Sequence, residues 1–136
     1  MREAQRNWEV ANSLLNMGQL MQERNEQARA RKLYRECLDL SYNLGDISMF
    51  GQNLEKIARS AAAYGQLRQA ARLFAAADAL FQSTGYVLEV PERPGHEKYL
   101  SLVRNGLTPA EFAAAWAEGQ ALTPEQAVAE ALEAFS

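Results

Sequence analysis

His96 is the chain's one histidine, and Glu89, Glu92 and Glu97 lie close to it in sequence. An imidazole among carboxylates could perform general acid–base chemistry or begin a metal site. Either use needs further partners, and the sequence supplies only one cysteine, Cys37, and no second histidine. The simpler reading is a loop histidine beside a helix start, with no catalysis and no metal or cofactor. Cys37 could be a reactive thiol, but it falls on an apolar stripe of helical spacing and reads as a small buried packing residue. The basic run Arg29, Arg31, Lys32 and Arg35 could meet nucleic acid or an acidic peptide. With Glu36 and Asp39 at helical spacings it reads instead as a solvated face. No glycine-rich phosphate loop with its Lys-Ser/Thr and no DNA-reading helix-turn-helix is present, so no ATPase and no direct nucleic-acid partner is expected.

The elements that must carry these residues are helices. Between Gly65 and Gly85, the residues Ala70, Leu73, Phe74, Ala77 and Phe81 recur in steps of three and four and share one helical face. Forty residues earlier Ala30, Leu33, Tyr34, Cys37 and Gly45 stand at the offsets of Ala70, Leu73, Phe74, Ala77 and Gly85. A helical pattern repeating at this length is the signature of stacked helix pairs. The spacing predicts helices over 3–22, 27–43, 47–64 and 67–83. Gly18 inside the first invites close approach of the second. Gly45 sits where a left-handed residue would end the second helix, Gly65 and Gly85 close the third and fourth, and Asp46 caps the third.

The stretch 86–96 holds two prolines and a glycine and reads as an ordered loop, with Tyr86, Val87 and Leu88 covering the end of the stack. A short helix is expected over 97–105. Thr108-Pro109-Ala110-Glu111 and Thr123-Pro124-Glu125-Gln126 are both capping boxes with proline at the first helical position, predicting helices over 109–120 and 124–135. Phe112, Ala115, Trp116 and Gly119 line one, and Val128, Ala131, Leu132 and Phe135 line the other. The two should turn inward together and cap the array.

In such an array the first helix of each pair lines the concave face. That face offers Asn12, Leu15, Gln19, Gln22 and Glu23, then Gln52, Glu55 and Arg59, an amide-rich candidate groove for a peptide or small polar ligand. The alternative is plain solvated surface. Trp8, near the free end of the first helix, is a candidate dimer contact, since exposed apolar surface there would favour a homodimer.

The chain of 136 residues is one domain's worth and, at net charge −3, only mildly acidic. The charge is uneven: residues 1–72 carry +3, residues 73–136 carry −6, and no Lys or Arg follows Thr108. This asymmetry lacks the dense basic face of a nucleic-acid binder. One cysteine excludes an internal disulfide. Without a leader-like apolar segment or an 18-residue apolar run, a cytoplasmic protein with no membrane partner is expected.

Leu14, Met17, Gly18, Ala30, Tyr34 and Cys37, and again Leu54, Ile57, Ala58, Gly65, Ala70, Phe74 and Ala77, resemble the tetratricopeptide repeat. The period of 40 is longer than that family's roughly 34 residues, and its closing proline is absent. GQLRQAARLFAAADALFQSTG, PERPGHEKYL and FAAAWAEGQALTPEQAVAEAL, in that order, resemble the C-terminal region of large bacterial signalling ATPases, including LuxR-type transcriptional regulators. The resemblance implies a sensor or scaffold that holds a ligand or protein partner and biases a switch elsewhere. The expectation is therefore an all-α, tetratricopeptide-like right-handed array forming a single domain. Repeat 1 covers 1–45, repeat 2 covers 46–85, a loop covers 86–96 and capping helices cover 97–136. Its function would be non-catalytic protein or ligand binding within a bacterial regulator, or alternatively self-association as a homodimeric scaffold or stand-alone adaptor.

Overall fold

Helices form wherever the apolar stripes run without interior proline: α1 (Arg2–Glu23), α2 (Gln27–Leu44), α3 (Ile47–Ala63), α4 (Leu67–Thr84), α5 (Arg93–Gly106), α6 (Pro109–Gln120) and α7 (Pro124–Ala134). The computed structural model describes residues 2–134, and among them the protein is all-α, with no strand. Phe135, expected on the last stripe, lies outside the described residues. No described helix is long and apolar enough to cross a membrane.

Local chemistry sets the helix ends. Gly45, Gly65 and Gly85 hold φ of 69°, 77° and 75°, a left-handed conformation that costs other residues energy. The Asp46 side chain accepts a hydrogen bond from the Met49 N–H at 3.0 Å and caps α3. Both capping boxes close: Thr108 and Glu111 exchange hydrogen bonds of 3.0 and 3.1 Å, and Thr123 and Gln126 exchange bonds of 2.9 and 3.2 Å.

Two antiparallel hairpins result, α1 along α2 and α3 along α4, and they stack through α2 and α3. Equivalent offsets are buried in each: Ala30, Tyr34 and Cys37 in one, Ala70, Phe74 and Ala77 in the other. Gly18 brings α1 onto α2 so closely that an added Cβ would lie 2.6 Å from the Tyr34 ring. That ring is fully buried, and its hydroxyl donates to Gln22 Oε1 at 2.9 Å. Across the stack, Asn53 Nδ2 donates to the Tyr34 carbonyl at 3.0 Å and Gln27 Nε2 to Ser60 Oγ at 2.8 Å. Each fully buried Leu or Phe contributes about 1.5–3 kcal/mol, and the polar links fix which faces meet.

The stretch after α4 differs from the expectation. A 3₁₀ turn, Val90–Glu92, leads directly into α5, which begins at Arg93 rather than at 97. Pro94 and Gly95 sit in its first turn, where proline's missing N–H would have had no intrahelical acceptor. His96 is therefore a helical residue, not a loop one. Val87 does not cover the stack; it is 69% exposed. Tyr86 does pack, its ring 5.0 Å from that of Phe81, and so does Leu88.

Helices α6 and α7 both turn inward, and the surface they share is α4. Arg72 of α4 ties them down, with Nη1 at 3.3 Å from Glu118 of α6 and Nε at 2.6 Å from Glu130 of α7. Trp116 is half-buried and stacks on Phe112 at 5.6 Å. Helix α7 also reaches α2 and α3, so it bridges both hairpins.

Candidate functional site

Helix α3 carries three charged residues, Glu55, Lys56 and Arg59, in the run EKIAR. All three are buried, at 1%, 5% and 6% exposure. Charges so placed need partners, because stripping water from an unpaired ion costs several kcal/mol. The partners come from 86–96. Glu92 at the end of the 3₁₀ turn meets the Lys56 ammonium, and its carbonyl accepts from Arg59 Nη2 at 3.0 Å. His96, one turn into α5, places Nδ1 3.1 Å from Glu55 Oε2, an atom that also receives Arg59 Nε at 2.5 Å. The His96 ring stands edge-on to Phe74 at 5.4 Å. A Cβ on Gly95 would meet the Arg59 guanidinium, so α5 passes close over α3 at this glycine.

The cluster sets its own ionisation. Burial alone would raise the Glu55 carboxyl, but the His96 hydrogen bond and the Arg59 charge outweigh it and hold the group below its usual value. Burial pushes the Lys56 ammonium down to about 8, against the pull of Glu55. Glu55 Oε1 is buried without a hydrogen bond and has only the Lys56 ammonium, at 3.8 Å.

Beside this cluster, α1, α3 and 86–92 enclose a cavity of about 490 Å³. Helix α1 contributes Trp8, Asn12, Asn16 and Gln19; α3 contributes Ser48 and Gln52; the third wall is Tyr86, Leu88 and Glu89. Leu15, Asp46, Met49, Glu55, Lys56 and Glu92 complete the lining. Lys56 and Arg59 offset Glu55 and Glu92, and the further carboxylates of Asp46 and Glu89 leave the lining net negative. A second cavity of about 340 Å³ continues toward α5 past Gln22, Glu23, Arg59 and Tyr99, sharing Gln19 and Lys56 with the first.

The eight groove residues read from the sequence thus gather along one side. Asn12, Leu15, Gln19, Gln52 and Glu55 line the larger cavity; Gln19, Gln22, Glu23 and Arg59 line the smaller. Three are not the surface groups expected. Leu15 is 3% exposed, and Glu55 and Arg59 are tied up by His96 and Glu92. The groove is not open, because the chain's own 86–92 stretch forms its third wall. Trp8, offered as a dimer contact, stands 41% exposed at the cavity.

The other sites resolve simply. Cys37 is fully buried with its thiol 3.2 Å from the Ala11 carbonyl, and burial pushes it up to about 12. Arg29 pairs with Glu26 at 3.2 Å, the Arg31 guanidinium lies 5.8 Å from the Tyr64 ring centre, and Lys32 and Arg35 are exposed. No group of three potential metal ligands occurs among the described residues.

Sequence reading missed Lys56, Asn16 and the engagement of Glu92 and His96 with α3. One signal was available. At the 40-residue offset, Glu55, Lys56 and Arg59 stand against Leu15, Asn16 and Gln19, so the second repeat acquires charges that the first lacks. Comparison with known proteins finds no match: no family model, no curated protein and no solved structure is significantly similar to this chain.

Proposed function

We propose that the protein is a non-catalytic binding module whose concave side, between α1, α3 and 86–92, takes a peptide or small polar ligand carrying positive charge. The cavity of about 490 Å³ carries this reading. Amide side chains from two helices, Asn12, Asn16, Gln19 and Gln52, converge on a space of ligand size, and such groups match the donors and acceptors of a peptide backbone. The excess of carboxylates favours a lysine, arginine or other cationic group over an acidic one. Trp8 and Tyr86 at the same cavity offer aromatic faces to an ammonium or guanidinium.

The reading belongs with a tetratricopeptide-like, right-handed array, supported by the stacked hairpins and their matching buried offsets. It also accounts for a charge cluster beside an empty space. A ligand there touches helices on two sides and 86–92 on the third. Its binding energy therefore favours the arrangement in which Glu92 is docked on Lys56 and Arg59, and α5 starts from that segment. Only such a differential contact lets a ligand shift a conformational equilibrium. In the setting the resemblance implies, a cytoplasmic bacterial regulator, this bias would pass to a switch domain. The commitment of His96 to Glu55 and the sealed thiol of Cys37 argue against catalysis by these residues.

Calorimetric titration with pooled short peptides, one pool rich in lysine and arginine and the other in aspartate and glutamate, tests the proposal. The basic pool should bind and the acidic pool should not. Gln52→Ala should weaken binding about three- to tenfold, the value of one hydrogen bond. Equal binding of both pools, or of neither, would reject the reading.

A further inference from the structure

The outer face of α1 is bare where its counterpart is covered. Val10, Met17 and Leu20 are 45%, 51% and 43% exposed. Forty residues on, Phe50, Ile57 and Ser60 occupy the same places on α3 and are 4%, 0% and 3% exposed, because α2 lies antiparallel across them. The fold thus shows what this face accepts, an antiparallel helix.

We infer that the occupant is α1 of a second copy of this chain, packed antiparallel about a two-fold axis. The pattern along the helix supports self-pairing. Glu3, Arg6, Val10, Ser13, Met17, Leu20 and Arg24 are all exposed and fall on one stripe in the steps of three and four of a coiled-coil seam. Arg24 continues the helix, its N–H donating to the Leu20 carbonyl at 3.1 Å. With the axis between Ser13 and Leu14, Val10 of one copy faces Met17 of the other, and Glu3 faces Arg24 at both ends. Arg6, on the same stripe, then lies beside Leu20 of the other copy, where its aliphatic stem can cover the leucine. A parallel pairing would instead set Glu3 on Glu3 and Arg24 on Arg24, so charge selects the antiparallel arrangement. This face lies away from Trp8, Asn12 and Gln19, and of the cavity residues on α1 only Asn16 borders it, beside Ser13 and Leu20. The inference stands independently of the proposed ligand.

Sedimentation velocity of the full chain over a broad concentration range tests it. The expected result is a species of twice the 15.2 kDa chain mass at high concentration. Met17→Lys, a change at an exposed position that leaves the circular dichroism and melting temperature unaltered, should leave only monomer. Arg24→Glu should weaken association roughly tenfold, because two symmetry-related pairs are spoiled at once. Glu3→Arg combined with Arg24→Glu should restore it. A single chain mass at every concentration would overturn the inference. So would a dimer indifferent to Met17→Lys, or a charge exchange that fails to rescue.

Discussion

Replacing Glu55 by Gln removes one negative charge from the most buried part of the cluster while keeping its shape. At 1% exposure, Glu55 offsets the charge of Arg59 at 2.5 Å and of Lys56 at 3.8 Å, and it holds His96 at 3.1 Å. Removing one member of a buried ion pair costs about 3–5 kcal/mol, since it leaves the partner ion uncompensated. Here Glu92 still faces both cations, and the amide oxygen can still accept from Arg59. The lower end therefore applies, about 3 kcal/mol, which for a chain of this length lowers the melting temperature by about 10 °C. Thermal unfolding followed by circular dichroism at neutral pH measures it directly. The pH dependence gives a second reading. Glu55 has a lowered pKa in the folded state, so the native protein binds fewer protons than the unfolded chain. Its stabilisation is present above the ordinary carboxylate value of 4.5 and is lost as pH falls through the lowered folded value. The gap between wild type and Glu55→Gln should close over that acid range. A neutral-pH shift under about 2 °C, the size of a change of about half a kcal/mol, would refute the reasoning, as would a gap independent of pH.

Three further outcomes are expected. Cys37, with its thiol pushed up to about 12, should resist a thiol-reactive dye in the folded protein at mildly alkaline pH and react only as the chain unfolds. Labelling at the rate of a free thiol would show an accessible site. Gly119→Ala should destabilise by about 1–3 kcal/mol in denaturant titration despite alanine's better helix propensity, because the new Cβ meets the Arg72 backbone carbonyl where α6 crosses α4. A stabilised variant would mean that α6 is not so closely packed. Thr108→Ala should cost about 1 kcal/mol by removing the hydroxyl that accepts the Glu111 N–H, measured by the same titration.

Much of this was legible from local chemistry. Four helices at matching offsets, three helix-closing glycines and two capping boxes are each written within a few residues, so the sequence states them directly. The groove residues were also legible as a face, because helical periodicity places Asn12, Gln19 and Gln52 on one side whatever they meet. What escaped depends on distant partners. Pro94 and Gly95 look like helix breakers, yet the first turn of α5 tolerates both, and Gly95 packs there against Arg59, a residue on another helix. His96 seemed without partners because its carboxylate, Glu55, lies 41 residues away. Periodicity likewise marks Val10, Met17 and Leu20 as apolar, but only comparison with their buried counterparts on α3 shows that the face is bare.

The account's central claim is that the space between α1, α3 and 86–92 is a binding site for a cationic peptide or ligand. Isotope-edited NMR of the side-chain amides tests it most directly, with the basic peptide pool added to the full chain. The account predicts shifts concentrated at Asn12, Asn16, Gln19 and Gln52 and at the indole of Trp8, with the amide of Gln82 on α4, outside the cavity lining, unmoved. Shifts spread evenly over the surface, or confined to residues away from the cavity, would contradict it.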